Sequence, residues 1–582
     1  MADLSNATIA AALDELGDLY ELDGAVVHRV LAYRNAAKAV RDAPRSVAAL
    51  TRAGRVTELP GIGKTLEEKI RVLLETGTIP AAQKLRAKYP PGLLDVMRIP
   101  GLGPKRARRL YEELGIDSLE ALREAAEGQK LRTVRGFGPK FEATVLAAFE
   151  AGIAERREPR LLLHRAVELA EAITDALRAA AADDPELRIE VAGSVRRQAE
   201  SVGDIDIAAA ASDPAALAAK LAELDVIESA GPAGENAARG RTHSGVQVDL
   251  RVVEPACFGN LLQHLTGSAA HNVRLRERAV RRGLHVSEYG IVDEPTGETL
   301  RCATEEEVYG RLGLPWVPPE LREDRGELDE GFVVPDLVTV EDLRGDLHCH
   351  TTASDGRNTA EEMARGALEH GLEYVAITDH SATHGFGNHV TPDELLRQIE
   401  RVRELDRRLE GIKVLVGTEA NILTDGSPDY DDDLLAELDW VVGSVHTAFN
   451  MSRADMTKRI VAAIEHPWID CIGHLTGRKI ERRPGYEVDV DEVLAAAART
   501  GTMLEINSAP DRRDLSEIHA RQAREAGVLI VINSDAHGVS TQGVVRWGVA
   551  TARRAGLASA DVANTLPWER FAPLRKRARN RA

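Results

Sequence analysis

A chain of 582 residues is too long for one hydrophobic core, so several domains are expected. Its 43% hydrophobic and 29% charged content is that of an ordinary globular protein, no apolar run approaches the roughly 20 residues that span a bilayer, and no signal-peptide pattern opens the chain. The net charge of −19 argues at first against a nucleic-acid partner, but residues 1–150 hold 23 Lys and Arg against 20 Asp and Glu, and phosphate binding needs only a local basic surface.

In chain order, residues 1–180 are rich in Ala, Leu and Arg with helical periodicity, broken by three related turns: "LPGIGKT" (59–65), "IPGLGPK" (99–105) and "VRGFGPK" (134–140). Each joins two helical segments through G-x-G and carries a lysine just beyond, Lys64, Lys105 or Lys140. Glycine lets the backbone approach a ligand closely, and the helix that follows starts with unpaired N–H groups. Gly61, Gly63 and Lys64, and likewise Gly101, Gly103 and Lys105, are therefore expected to hold a DNA phosphate without reading its base. The third copy reads equally well as a plain connection between helices.

Strand-like runs follow: "LRIEVAG" (187–193), "DIDIAAAA" (204–211) and "VQVDLRVV" (246–253). Side chains two apart on a strand share a face, so Asp204 and Asp206 project together, and Asp249 can join them from a neighbouring strand. Three converging carboxylates repel one another unless divalent cations sit between them, and oxygen ligands of this kind suit magnesium or manganese. The stretch "PPELREDRGELDEGFVVPDLV" (318–338) combines proline with a dense acidic run and reads as a linker.

Beyond it, short apolar strands alternate with helices: "YVAITDH", "KVLVGTE", "DWVVGSVH", "DCIGHL", "TMLEINS" and "VLIVINSDAH". The alternation predicts an α/β barrel of parallel strands. Eleven of the 17 histidines fall here, and His348, His350, His380, Glu419, His446, His474, Asp535 and His537 sit at or just past strand C-termini, with Asp355 on the first loop. Strand C-termini converge on one face of a barrel, where active sites form. His384, His389 and Arg512 lie near these loops as possible phosphate contacts or plain surface residues, whereas His370, His466 and His519 fall in or at helices. The basic tail "RKRARNRA" (575–582) reads as frayed. Cys257, Cys302, Cys349 and Cys471 form no C-x-x-C pair, which excludes a disulfide framework and suits a reducing cytoplasm.

Residues 1–318 resemble the family X DNA polymerases, a nucleotidyltransferase group that includes DNA polymerase beta. The likeness rests on two hairpin domains, G-S with arginines, G-D-I-D and a third aspartate, in that order. It implies that Asp204 and Asp206 ligate both magnesium ions and Asp249 the one beside the primer 3′-hydroxyl. Gly193, Ser194, Arg197 and Gly203 match the triphosphate-binding segment. In "LTGSAAHNVRLR", Asn272 matches a residue near the incoming base and Arg276 one near the template. Arg29, Tyr33 and Lys69 match the 5′-phosphate-binding domain, Lys69 standing where a lyase nucleophile sits, or simply binding phosphate. The chain departs from vertebrate members just before T-G-S, where His264 and Leu265 replace an aromatic pair that helps exclude ribonucleotides, so sugar selectivity stays open.

The C-terminal pattern resembles the PHP (polymerase and histidinol phosphatase) domain, a distorted (β/α)7 barrel with three metals. The resemblance implies one ion on His348, His350, Glu419 and Asp535, a second on Glu419, His446 and His474, and a third on Asp355, His380 and His537, as zinc, manganese or iron. The expected organisation is multidomain α+β and α/β: a lyase-like helical domain (1–88), a fingers-type hairpin domain (89–152), palm (153–254), thumb (255–317), linker (318–342) and PHP barrel (343–582). The expected protein is a monomeric, nucleoid-associated repair polymerase that takes dNTPs and gapped or nicked DNA, with an attached hydrolase acting as 3′–5′ exonuclease and 3′-phosphatase and open to abasic-site cutting as well. The rival reading is a histidinol-phosphatase-like phosphoesterase with a DNA-binding N-terminal half.

Overall fold

The computed structural model describes residues 4–97, 99, 101–150, 160–385 and 388–580. The expected boundary at 152–153, Pro100 in the second turn and the last two residues of the basic tail lie outside them. The chain gathers into two compact units: Met1–Arg160, Glu168–Val191 and Gly203–Pro255 in one, Leu161–Val167, Ala192–Val202 and Ala256–Ala582 in the other. Among the described residues no helix is long and apolar enough to cross a membrane.

The first unit opens with helices Asn6–Leu22 and Val27–Arg41, whose apolar residues recur at helical spacing: Ile9, Leu13 and Leu16 face Tyr33, Ala36 and Val40 in one core. Buried Asn6 donates to the carbonyls of Ala43 and Arg45 and accepts from Val47 N–H at 2.8 Å, tying the helix pair to the next loop. The three glycine turns are built alike. Ile62, Leu102 and Phe137 are buried, and their amides reach back to the carbonyls of Leu59, Ile99 and Val134 at 3.1, 2.9 and 3.1 Å. The residue before each is a glycine with φ of +80, +82 or +89°, which a side chain would strain. Helices Lys64–Thr76, Pro104–Leu114 and Pro139–Glu150 leave directly from these turns, with Lys64, Lys105 and Lys140 exposed. Arg106 donates to the carbonyls of Gly101 and Gly136, at 2.8 and 3.0 Å, and so joins the second hairpin to the third.

A five-stranded sheet completes this unit: β1 (Arg188–Val191), β2 (Asp204–Ala210), β3 (Ile227–Ala230), β4 (Ala237–Thr242) and β5 (Gln247–Val253). Their order is β1-β2-β5-β4-β3, with only β2 and β5 parallel.

In the second unit, helices Phe258–Thr266, Ala269–Val280 and Glu305–Arg311 accompany an antiparallel ribbon of Leu284–Ser287, Gly290–Asp293 and Thr299–Leu300. The acidic stretch 318–342 is no bare linker. Leu321, Leu328 and Leu337 join the ribbon's core, and Arg322 is fully buried. A buried guanidinium needs a partner; Arg322 has Glu305, at 2.5 and 3.1 Å, and Glu305 also takes Arg196 at 2.7 Å. Burial would raise the Glu305 carboxyl, but the charges of Arg322 and Arg196 override it and hold it at about 2. A group depressed in the folded state stabilises it fully above its unfolded value of 4.5 and loses that contribution as pH falls toward 2. Acid titration of stability should therefore be shallower for Glu305→Gln than for the parent between pH 4.5 and 2, and identical slopes would refute this.

Seven parallel strands form the barrel in sequential order: β6 (Gly345–Cys349), β7 (Tyr374–Ile377), β8 (Lys413–Asn421), β9 (Trp440–Ser444), β10 (Cys471–Ile472), β11 (Met503–Asn507) and β12 (Ile530–Asn533). Buried on both faces, they are built mostly of apolar residues, with Asp346, His348, Glu419 and Glu505 among the exceptions. Past β12 the ring closes on β6, where Asp535 N–H donates to His348 O and His350 N–H to Ala536 O, both at 2.9 Å. Helices Ala360–Glu369 and Pro392–Arg408 each start with a capping box, Thr359 with Glu362 and Thr391 with Glu394, which fixes where the loops bearing Asp355 and His380 end. The basic tail is not frayed over 576–577. Lys576 and Arg577 are buried, Arg577 pairing with Asp470 at 2.8 Å and donating to the carbonyl of Trp468.

Candidate metal centres

The sheet of the first unit brings three carboxylates together. Asp204 and Asp206 lie on one face of β2, and the parallel pairing sets Asp206 opposite Asp249 of β5. Oxygens of all three lie within 4.8 Å of one another, half-buried. Asp249 accepts from Arg239 Nε on β4 and from Gln247 Nε2, both at 2.6 Å. Arg239 is exposed and was not foreseen; its pairing with Asp249 across β4 and β5 would have been legible only with β4 in hand. Like charges this close favour cations between them, and the all-oxygen donor set fits magnesium or manganese.

The nucleotide-segment residues fall in the second unit, apart from Gly203 in the first. Gly193 has φ of +58° and opens a short helix, Gly193–Arg196, that carries half-buried Ser194. Arg197 follows it, held by Glu323 at 3.0 Å and the carbonyl of Thr266 at 2.5 Å. Asn272 is committed locally: its amide donates to His264 O at 2.7 Å and accepts from Gln263 at 2.8 Å. Arg276 contacts His264 Nδ1 at 3.3 Å. In the first unit, exposed Arg29 lies over the Tyr20 ring, buried Tyr33 stacks on the same ring, and Lys69 is half-buried on the helix after the first hairpin.

The barrel gathers all nine of its candidate donors into one cluster. His350 Nε2 lies 3.1 Å from Asp535 Oδ1, His348 Nε2 3.4 Å from Glu419 Oε1, and His446 and His474 Nε2 lie 3.2 and 3.0 Å from the same Glu419 oxygen. Asp355 Oδ1 faces His537 and His380 at 3.4 and 3.7 Å. The three expected ligand sets are not separate islands. His350 also groups with Asp355, His380 and His537, and His380 with Glu419 and His446. Asp535 and His474 hold φ of +53 and +27°, backbone strain concentrated at the site.

Burial raises Glu419 and Asp535, but the surrounding imidazoles overturn it and keep both carboxyls well below their ordinary range. Asp355 is held at about 2 by His537 and its neighbours against burial. Burial and adjacent His380, whose ring is 4.3 Å away, push His350 down. Buried Nδ1 atoms of His350 and His474 make no hydrogen bond among the described residues. Ionised carboxylates beside crowded imidazoles with unpartnered nitrogens fit transition-metal cations. His384 is buried and stacks on His380, while Arg512 reaches to 3.9 Å from Asp535 with its Nε buried.

Sequence reasoning missed the shell behind these donors. Glu505 on β11 is fully buried, accepts from His474 N–H at 2.8 Å and from the amides of Asn507 and Asn533, and meets His348 Nδ1 at 2.7 Å. Asp379 accepts from Thr351, Ser354 and Gln398 and so fixes the loop that carries Asp355. The available signal was a charged or amide residue inside an otherwise apolar strand, as in "TMLEINS". A carboxylate behind a ligating imidazole sets its tautomer and basicity. Glu505→Gln should weaken divalent-cation binding by the barrel about 10- to 100-fold in chelator competition; unchanged affinity would show that Glu505 does not orient His348.

Family models match in four places: a helix-hairpin-helix domain at residues 5–79, a tandem helix-hairpin-helix at 93–151, the DNA polymerase beta thumb at 261–323 and the PHP domain at 346–509. A protein of Bacillus subtilis (strain 168) named DNA polymerase/3′-5′ exonuclease PolX is 36% identical over 554 residues, covering 95% of this chain and 96% of that one. A probable phosphatase of Thermoanaerobacter pseudethanolicus is 32% identical over 38% of this chain and 89% of its own length. One from Photobacterium profundum is 33% identical over 33% of this chain and 77% of its own.

Proposed function

This chain belongs to the bacterial family X DNA polymerases that carry a C-terminal PHP domain, and from that premise we propose that it fills gaps in DNA during repair and hydrolyses DNA 3′ ends with its barrel. The observation that carries this is the completeness of two donor sets, three carboxylates on β2 and β5 and nine imidazoles and carboxylates around the barrel mouth. The phosphatases cover only 38% and 33% of the chain and so do not bear on its activity as a whole.

In this reading the domains run 1–88, 89–152, 153–254, 255–317 and 343–582 as set out from the sequence, with 318–342 packed on the core of the fourth rather than running as a bare linker. Lys64 and Lys105, beside the glycine turns, hold backbone phosphates of gapped or nicked DNA. Arg29 and Tyr33 serve the 5′-phosphate, and Lys69 binds it or acts as a lyase nucleophile. Ser194 and Arg197 take the triphosphate of a dNTP, Asn272 and Arg276 face the base pair, and Asp204, Asp206 and Asp249 hold two magnesium or manganese ions. The barrel holds three ions of zinc, manganese or iron, on His348, His350, Glu419 and Asp535, on Glu419, His446 and His474, and on Asp355, His380 and His537. Such cations, when bound, stabilise charge on phosphoryl oxygens and supply a nucleophile from water near neutral pH. Arg512 adds a cation for the phosphate of the 3′ end. The protein acts as a monomer in the nucleoid-containing cytoplasm.

A 5′-labelled primer in a gapped duplex tests the reading. With dNTPs the primer should lengthen to the end of the gap, and without them it should shorten from its 3′ end. A primer unchanged under both conditions would overturn it.

A further inference from the structure

The segment Ala192–Val202 carries Ser194 and Arg197, yet arginines of the barrel anchor it. Arg554 ends the helix Val545–Arg554 and is 5% exposed. Its Nη1 donates to the carbonyl of Arg197 at 2.5 Å and lies 3.0 Å from Glu323 Oε1, while Nη2 donates to Glu517 at 2.9 Å. Glu323 Oε1 is also 3.0 Å from Arg197 Nε. One carboxylate oxygen is therefore shared between the two guanidiniums. Nearby, Arg513, 2% exposed, donates to the carbonyl of Gln198 at 3.1 Å, where Gln198 holds φ of +57°, and Arg478 pairs with Glu200 at 2.7 Å. Taking guanidiniums out of water is costly, so two that are nearly dry and aimed at the adjacent carbonyls of Arg197 and Gln198 fix that backbone rather than merely touch it.

We propose that Arg554 and Glu323 are positioning residues for nucleotide capture: Arg554 sets the main chain of Arg197 and shares Glu323, which occupies the Arg197 guanidinium until a triphosphate takes its place. This rests on the reading of Arg197 as a triphosphate ligand. A carboxylate and a phosphate compete for the same planar donor fork. Removing Arg554 leaves Glu323 to Arg197, and removing the charge of Glu323 takes away the carboxylate that competes for Arg197, whose Nη1 keeps its bond to the carbonyl of Thr266. The two changes act in opposite directions.

The test is steady-state dNTP incorporation by the full chain on gapped DNA, with shortening of a single-stranded 3′ end as the control. Arg554→Ala should raise the KM for dNTP about tenfold, the worth of one charge-assisted hydrogen bond, with kcat nearly unchanged. Arg554→Lys should recover most of that loss, and Glu323→Gln should lower KM below the parent's. Shortening should stay within about twofold throughout, as expected for sites that share no partners. Equal KM values, or shifts of the same sign for Arg554→Ala and Glu323→Gln, would overturn the proposal. If Arg554→Ala loses shortening as well, the sign of Glu323→Gln decides. Arg197→Ala separates the two layers: an unchanged KM there refutes the role of Arg197 itself, whereas a raised KM beside silent Arg554 and Glu323 variants refutes only their positioning role.

Discussion

Asp249→Ala is expected to abolish primer extension, by about 10³-fold or more, while primer shortening continues at the parent's rate. The register of β2 against β5 places Asp249 level with Asp206, and removing it leaves two carboxylates where three converge. Cation binding there depends on summed negative charge and on oxygen donors at fixed positions, and both fall together. The change also removes the carboxylate that Arg239 pairs with across β4 and β5. Asp249 is half-buried near a strand end, so its loss leaves no large cavity and the sheet should persist. A gapped-duplex assay with a 5′-labelled primer reads both activities from one lane. Retained extension would mean that Asp249 is no part of the transfer centre.

His350→Ala should do the reverse, lowering shortening about 10³-fold and leaving extension within about twofold. His350 is fully buried, lies 3.1 Å from Asp535, and has its ring 4.3 Å from the rings of both His380 and His537. It belongs to two of the overlapping donor groups, so a single deletion weakens more than one cation position. Removing a buried ring also costs packing, and circular dichroism should confirm that the barrel remains folded before rates are compared. Loss of both activities in a folded variant would refute independent centres.

Much of this was legible because the chemistry sits where strands end. The apolar runs preceding His380, His446, His474 and Asp535 announce barrel strands, and the donors come directly after them. The pair Asp204 and Asp206 is readable from period two alone. The strands Ile227–Ala230 and Ala237–Thr242 were not, because "IESA" and "AARGRT" hold one β-branched residue each, Ile227 and Thr242, and no aromatic; the pairing of the second with β5, and of the first with the second, overrides weak propensity. The stretch 318–342 looked like a linker because charge and proline suggest solvent, but Glu305 neutralises Arg322 and lets it enter the core, a long-range pairing that composition cannot reveal. The tail misled for the same reason, its Arg577 being matched by Asp470 more than a hundred residues earlier. Glu505 was hidden because a lone acid in an apolar strand has no spacing partner; only the barrel brings it to His348 and His474.

The two proposed cation pockets of this chain are expected to fill independently of each other. Elemental analysis of purified parent, Asp249→Ala and His350→Ala proteins, after dialysis that removes weakly held ions, tests that independence without reference to activity. Transition-metal content should be equal in parent and Asp249→Ala and markedly lower in His350→Ala. Equal loss in both variants, or full retention in His350→Ala, would contradict it.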